Sequence, residues 1–192
     1  MTLAIDVGGY HGQFLYGFDQ VGCDKIICIE PSEKYFSMCA KVARDIESEV
    51  ILVNKALHKT GFYALTDEGD ASNILSGDPM VDEIVDGISF FDLMKRYELK
   101  HANYVKLNCE GSEFVILQDI LELDFDVDEF FVQFHGNDEL RDSILKKFME
   151  KGYDVYSHQR TENGTIFWWS IIKKNMERIF GKSSPVVKPY SI

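Results

Sequence analysis

The chain lacks the features that mark several other classes of protein. Basic residues are scarce, with 20 Lys and Arg against 32 Asp and Glu and a formal net charge of −12. Binding to nucleic acid needs clustered lysines and arginines, so this balance predicts no nucleic-acid partner. The 4 cysteines form no CxxC pair, which predicts buried thiols in a reducing compartment. No apolar run approaches the roughly 18 residues that span a bilayer, and no signal peptide precedes the first strand pattern, so we expect a cytoplasmic protein without a membrane span.

The chain does contain a regular alternation of strand and helix patterns. Its 192 residues, 45% of them hydrophobic, suffice for one domain with a sizeable core. The alternation predicts an α/β fold, a mostly parallel sheet with helices on both faces. The predicted strands are Leu3 to Val7, Lys25 to Glu30, Glu49 to Asn54, Phe62 to Leu65, Tyr104 to Cys109, Phe130 to His135, Tyr153 to His158 and Thr165 to Ile172. The predicted helices are His11 to Asp19, Ser32 to Ile46, Ser89 to Tyr97, Ser112 to Leu121 and Glu139 to Lys151.

Two segments interrupt this alternation. Residues 67–86 are rich in Gly, Asp, Ser and Asn and hold little core-forming material, which predicts a long lid or binding loop. Asn163-Gly164 separates the last two strand patterns and predicts an antiparallel C-terminal hairpin. Residues 173–192 carry five basic residues against one acid, so we expect a folded domain at 1–172 followed by a basic tail.

The most informative segment is the glycine-rich turn after the first strand pattern. Asp6 stands two residues before Gly8, Gly9 and Gly12 follow, and Glu30 closes the second strand pattern. A nicotinamide-binding loop has the spacing GxGxxG, which this turn does not match. Glycines let a backbone approach a ligand, and two carboxylates suit a ribose and a cationic amino-acid end, which favours S-adenosylmethionine. The alternative is a glycine turn that serves backbone geometry alone.

The sequence resembles the FkbM-type methyltransferases in four segments that occur in the family's order. The run from Asp6 to Phe14 is similar to the first motif of the family, and Glu30-Pro31 with its following helix is similar to the second. A third segment leads from Asn54-Lys55-Ala56-Leu57 through Gly61 to Ser72-Asn73, and the fourth, Tyr104 to Phe114, is similar to the signature K-I-D-V-E-G-x-E. The resemblance extends from about Leu3 to Ile172.

This resemblance implies a Rossmann-like class I methyltransferase with a mostly parallel seven-stranded sheet. It implies S-adenosylmethionine as the cofactor and a hydroxyl of a sugar, glycan or secondary metabolite as the acceptor. By match to the motifs, the residues expected around the methionine part are Asp6, Gly8, Gly9, His11, Gly12 and Gln13. Glu30 and Pro31 would lie at the ribose, and Asn54, Ala56 and Ser72 at the adenine side. Asn108 is expected near the transferred methyl group.

Candidates for catalysis end the fourth and fifth long strand patterns. Lys106, Asn108 and Glu110 share one face of their strand by its period of two, and His135 ends the next strand. We expect His135 or Glu110 to assist removal of the hydroxyl proton. The alternative for Lys106 is a structural ion pair with Glu110. Asn108 stands where the family has Asp, which weakens a role for this position as base or metal ligand, and we expect no required metal.

The sequence therefore predicts an S-adenosylmethionine-dependent O-methyltransferase that acts on a carbohydrate or glycan. Two alternatives remain: an acceptor that is a small natural product or lipid-linked intermediate, and a binding module that keeps the fold without catalysis. The chain starts two residues before its first strand, so we expect either one domain of a longer polypeptide or a homo-oligomer whose neighbour covers the cofactor. The aromatic run Phe167-Trp168-Trp169 favours a core role over stacking on a sugar.

Overall fold

The structure is a computed structural model that describes residues 1–66, 73–75, 83–159, 166–174 and 187–189. Its helices are α1 (Gln13–Gln20), α2 (Glu33–Val42), α3 (Phe90–Arg96), α4 (Glu113–Glu122) and α5 (Asp138–Glu150). Its strands are β1 (Leu3–Val7), β2 (Lys25–Ile29), β3 (Glu49–Val53), β4 (Ala56–Leu57), β5 (Gly61–Thr66), β6 (Asn73–Leu75), β7 (Glu83–Ile88), β8 (His101–Leu107), β9 (Asp126–Gln133), β10 (Tyr153–Gln159), β11 (Ile166–Lys173) and β12 (Val187–Pro189).

The larger sheet runs in the order β12-β10-β11-β9-β8-β1-β2-β3 within the described ranges. The five strands from β9 to β3 pair in parallel, and β11, β10 and β12 pair antiparallel. This arrangement confirms the predicted mostly parallel sheet of seven strands with an antiparallel C-terminal hairpin. The eighth strand, β12, comes from the segment predicted as a tail.

Helices cover both faces of this sheet. Leu3, Ile5 and Val7 of β1 pack in the core that α3, α4 and α5 complete, while Ala4 packs with Leu15 in the core beneath α1 and α2. Because both faces are covered, all five residues of β1 are buried, including the charged Asp6. Strands buried on both faces have continuous apolar runs, which is why the sequence reveals them.

A second sheet, in the order β4-β7-β5-β6, corrects the prediction of a loop at 67–86. Residues 73–75 and 83–88 are strands, and β7 pairs antiparallel with β5, with Tyr63 opposite Val85. Val85 is buried while Ile84 and Asp86 are exposed, the alternation of a half-covered strand. The predicted loop was wrong there because polar and glycine residues surround the short strand pattern. Residues 67–72 and 76–82, including Ser72, lie outside the described residues.

Element ends differ from the predicted ones for local reasons. Helix α1 begins at Gln13 rather than His11 because Gly12 has a left-handed φ of 76°. Ser32 precedes α2 without capping it by its side chain, whereas Ser89 caps α3 by accepting a hydrogen bond from the Asp92 N–H. The turn predicted around Asn163-Gly164 lies outside the described residues. No helix in the described part of the chain has the length and apolar character to cross a membrane.

Candidate active site

A cavity of about 290 Å³ opens at the carboxyl ends of the central parallel strands. It lies where the sheet order passes from β8 through β1 to β2, and ligands of open α/β sheets bind at such a switch point. Its walls come from the turn after β1, the end of β2, the second sheet and the ends of β8, β9 and β11. The residues that line it are Val7, Gly8, Tyr10, Gln13, Ile29, Glu30, Pro31, Tyr35, Ala56, Leu57, Leu65, Asn108, Cys109, Glu110, Ser112, Gln133 and Trp168.

The turn after β1 presents glycine backbone, without side chains, to this cavity. The N–H groups of Gly8 and Gly9 donate to the carbonyl of Ile29, at 2.9 and 3.3 Å, which fastens the turn to β2. Gly8 has a φ of 76°, and a Cβ there would overlap the carbonyl oxygen of Asn108. A Cβ at Gly9 would lie 2.5 Å from the sulfur of Cys28. Both positions therefore need glycine, and Gly8 lines the cavity while Gly9 supports it from beneath.

Glu30 is a buried carboxylate that follows β2 and lies beside this turn. One oxygen accepts the Tyr10 N–H at 2.8 Å and the other accepts the Ser32 N–H at 3.0 Å. Burial raises the pKa of Glu30, and the two N–H donors oppose that rise. A carboxylate offers about four acceptor positions, so two remain for a ligand. Asn54 does not line the cavity; its amide donates to the carbonyls of Glu30 and Pro31 at 3.1 and 2.9 Å and holds this part of the cavity wall in place.

Asp6 and Lys106 form an ion pair beneath the turn. Lys106 Nζ lies 2.9 Å from Asp6 Oδ1 and donates to the carbonyls of Val7 and Gly8 at 3.1 and 2.5 Å. Both side chains are fully or almost fully buried, and neither lines the cavity. Burial raises the pKa of Asp6, and the ammonium of Lys106 opposes that rise. The alternative considered for Lys106 named the wrong partner: Lys106 has a structural ion pair, but the β1–β8 register places it beside Asp6 and not Glu110.

Glu110, His135 and Glu113 form a chain of contacts at the far wall. His135 Nδ1 lies 2.8 Å from Glu113 Oε1, and His135 Nε2 lies 3.3 Å from Glu110 Oε1. Glu110 lines the cavity, whereas His135 stands behind it and Glu113 is fully buried. Burial alone would lower the pKa of His135, but hydrogen bonding to Glu113 and the charges of both carboxylates raise it overall. The sequence identified Glu110 and His135 as candidates, and Glu113 was not among them.

The sequence model of the methyltransferase FkbM domain matches residues 6–155. The chain belongs to the FkbM methyltransferase family. A search of the curated proteins returned no match. This family member has the class I fold, and S-adenosylmethionine is its methyl donor.

Solved structures agree with this fold. TrmK from M. capricolum, in complex with S-adenosylhomocysteine, has a TM-score of 0.54 and 13% identity over 92% of this chain and 66% of its own. An rRNA methylase from Streptococcus thermophilus has a TM-score of 0.53 and 11% identity over 90% and 86%. Fibrillarin from Aeropyrum pernix, with bound S-adenosylmethionine, has 0.54 and 9% over 89% and 66%. At these identities the likeness establishes the fold alone.

Asn108, which the sequence analysis expects near the transferred methyl group, is one of the cavity residues. Its side chain lines the cavity beside Gly8, and its Oδ1 atom is buried with no hydrogen-bond partner among the described residues. A buried carbonyl oxygen without a partner is costly, so a donor belongs beside it. Asn108 is thus available to accept a hydrogen bond from a bound molecule.

Aromatic side chains complete the walls of the cavity. Tyr10 stacks on His11 with ring centres 3.8 Å apart and lies 4.4 Å from the ring of Tyr35. Trp168 stacks on Phe131 at 4.4 Å with an angle of 9° between the rings. Trp168 is almost fully buried, as a core residue would be, yet it also lines the cavity. Tyr10 and Tyr35 were not among the predicted site residues, because the turn position of the one and the helix position of the other also suit ordinary core aromatics.

Ligand atoms suited to a metal ion lie at the other end of the sheet. Within the described ranges, His101, Asp126 and Asp128 bring such atoms within 4.8 Å of one another. These residues stand at the starts of β8 and β9, away from the cavity. Lys173 contacts Asp126 at 2.6 Å, and Asn103 donates to Asp128 at 2.9 Å, so the carboxylates already have partners in the protein.

Proposed function

We propose that this FkbM methyltransferase transfers the methyl group of S-adenosylmethionine to a hydroxyl oxygen of a neutral carbohydrate or glycan. The observation that carries the proposal is the Glu110 carboxylate, which lines the cavity and has His135 directly behind it. A hydroxyl must lose its proton as the new bond to carbon forms, so a carboxylate at this place supplies a base.

Several residues in and around the cavity suit the parts of the cofactor. Asn108 Oδ1, without a partner among the described residues, would accept from the methionine ammonium, and the bare backbone at Gly8 leaves room for the methionine part. Glu30 retains acceptor positions for the ribose hydroxyls. Ala56 and the buried Leu65 form an apolar wall for the adenine. When bound, S-adenosylmethionine supplies a methyl group on a sulfonium centre.

The residues assigned to the cofactor site by match to the family, together with Lys106, fall into two groups, those that line the cavity and those that do not. Gly8, Gln13, Glu30, Pro31, Ala56 and Asn108 line the cavity and would contact the cofactor. Asp6, Gly9, His11, Gly12, Asn54 and Lys106 do not line it, and we propose that they hold its walls. Ser72 lies outside the described residues, and its contact with adenine stays a prediction.

Glu110 rather than His135 is the proposed base. Both ring nitrogens of His135 face carboxylate oxygens, and its pKa is raised, so the ring stays protonated to a higher pH than an ordinary histidine. A protonated imidazole carries N–H groups on both sides and has no lone pair to take a proton. In that state His135 donates to Glu110, and the Glu110 carboxylate accepts the hydroxyl proton.

The charge of the cavity supports a neutral acceptor. The acidic residues Glu30 and Glu110 line it, and no Lys, Arg or His occurs among the described lining residues. A phosphate close to Glu110 would be repelled, because like charges interact strongly where water is excluded. This argues against RNA and against a pyrophosphate close to the reacting hydroxyl. Trp168 and Gln133, opposite each other in the β9–β11 pair, offer an apolar surface and an amide, which suit a sugar ring.

Methyl transfer from labelled S-adenosylmethionine tests the proposal. Neutral glycans, phosphorylated glycans and RNA are offered side by side, and we expect label in the neutral glycans alone. Glu110→Gln should lower kcat about 10²- to 10⁴-fold with unchanged affinity for S-adenosylmethionine in calorimetry. Glu122→Gln, at an exposed position of α4, is the matched control and should keep full activity.

Three outcomes would contradict the proposal. Label in RNA or in phosphorylated glycans alone would refute the neutral acceptor. Full activity of Glu110→Gln would remove this residue as the base. Binding of S-adenosylmethionine without transfer to any acceptor would favour a binding module.

A further inference from the structure

We infer that Glu113 is the positioning residue of this active site: its buried carboxylate fixes the loop that carries Glu110 and anchors His135 behind it. The inference rests on the proposed function in one respect, that Glu110 meets the acceptor. Glu113 itself does not line the cavity and so touches no substrate.

The loop that carries Glu110 has an unusual backbone conformation. Glu110 has a φ of 51° and Gly111 a φ of 99°, so two successive residues adopt left-handed backbone. This conformation costs free energy for a residue other than glycine, so surrounding contacts must hold it in place. Glu113 Oε1 accepts the Cys109 N–H at 2.8 Å, and Glu113 Oε2 accepts the Gly111 N–H at 2.7 Å. The carboxylate thus holds the peptide groups on both sides of Glu110.

Glu113 also contacts His135. The Glu113 oxygen that accepts the Cys109 N–H also lies 2.8 Å from His135 Nδ1. One fully buried carboxylate therefore fixes both the backbone of Glu110 and the imidazole that contacts its side chain. A Gln at position 113 has one acceptor oxygen, so it cannot satisfy both loop N–H groups as Glu113 does.

The charges that act on His135 come from these two acids. Glu113 and Glu110 both raise its pKa against the opposing effect of burial. The thiol of Cys109 beside Glu113 stays neutral, because burial and the Glu113 charge raise its pKa well above the usual range. Removing the charge of Glu113 should therefore lower the pH at which His135 titrates.

A residue that only stabilises helix α4 would leave that titration unchanged. Glu113 is the first residue of α4, where an acid is favoured by the helix dipole without any role in the site. The decisive variant is Glu113→Gln, with Glu122→Gln at the far end of the same helix as the control. The decisive readout is the imidazole signal of His135 in NMR spectra of the free enzyme, assigned among the 5 histidines with His135→Gln.

In Glu113→Gln we expect His135 to titrate at lower pH than in the unmodified protein and kcat to fall on the order of 10²-fold. Affinity for S-adenosylmethionine should not change, and Glu122→Gln should match the unmodified protein in every readout. Unchanged titration of His135, or full activity of Glu113→Gln, would overturn the inference.

If Glu113→Gln does not fold, His135→Gln decides the question. Its amide can still donate to Glu113, so the loop should persist while kcat falls; full activity of this variant would overturn the inference. The NMR titration needs no acceptor. Failure of methyl transfer to every glycan would therefore refute the proposed function and leave the contact between Glu113 and His135 open to measurement.

Discussion

Replacing Lys106 by Met should destabilise the protein, because the buried carboxylate of Asp6 loses its charged partner. The variant keeps the unbranched stem and removes the ammonium that contacts Asp6 Oδ1 at 2.9 Å and two carbonyl oxygens of the turn. Asp6 is fully buried, and its second oxygen has no hydrogen-bond partner among the described residues. Removal of one partner of a buried ion pair costs about 3 to 5 kcal/mol of unfolding free energy. A domain of this kind has about 5 to 15 kcal/mol in total, so the loss is large.

The pH dependence of this loss follows from the pKa of Asp6. Burial raises it above the ordinary value of 3.8, so the folded protein holds the Asp6 proton more tightly than the unfolded chain does. Asp6 therefore contributes stability below pH 3.8, and that contribution is lost as the pH rises through its pKa in the folded protein. Without Lys106 this pKa rises further. The gap between the variant and the unmodified protein should shrink as the pH falls toward 3.8 and widen toward neutrality.

Urea unfolding followed by circular dichroism, repeated across this pH range, measures the effect. Lys25→Met is the matched control, because Lys25 pairs at 3.0 Å with Glu49, which is 65% exposed, and such a pair contributes about 0 to 1 kcal/mol. Adding Asp6→Asn to Lys106→Met should recover part of the loss by removing the buried charge. A loss under about 1 kcal/mol, or one that does not change with pH, would refute the reasoning.

Two further predictions concern the walls of the cavity. Glu30→Gln should weaken binding of S-adenosylmethionine on the order of tenfold in calorimetry, because a hydrogen bond to a charged acceptor is worth about 1.5 to 3 kcal/mol, while the exposed Glu33→Gln should bind normally. Equal affinity of the two variants would remove Glu30 from the cofactor site. Trp168→Phe should raise the KM for the acceptor and leave the affinity for S-adenosylmethionine unchanged, because Trp168 lines the cavity opposite Gln133 in the β9–β11 pair, where we propose that the sugar ring binds. A KM that does not move would return Trp168 to a purely structural role.

Most of the main sheet was predictable because its strands are buried on both faces and leave apolar runs in the sequence. β1 matches its predicted bounds, and the glycine turn and Glu30 follow directly from that strand. The second sheet was not predictable to the same degree. In its strand β7 the apolar Ile84, Val85 and Ile88 stand among Glu83, Asp86 and Gly87, so its pairing with β5 depends on tertiary contacts.

Sequence patterns could not determine which side chains the charged residues contact. Lys106 and Glu110 share a strand face by local spacing, but Asp6 lies 100 residues away and reaches Lys106 only through the β1–β8 register. Glu113 has the same limitation, since its contact with His135 joins α4 to the end of β9. The periodicity of a strand or a helix indicates on which face of the element a side chain lies. It does not indicate which other side chain it contacts there.

The central claim is that methyl transfer in this cavity ends on the oxygen of a neutral acceptor. The most direct test incubates the protein with isotope-labelled S-adenosylmethionine and a panel of neutral glycans, and then locates the methyl group in the product by NMR. We predict one added methyl group on a hydroxyl oxygen, and none with Glu110→Gln under the same conditions. A methyl group on nitrogen or carbon, or transfer only to phosphate-bearing acceptors, would contradict the account.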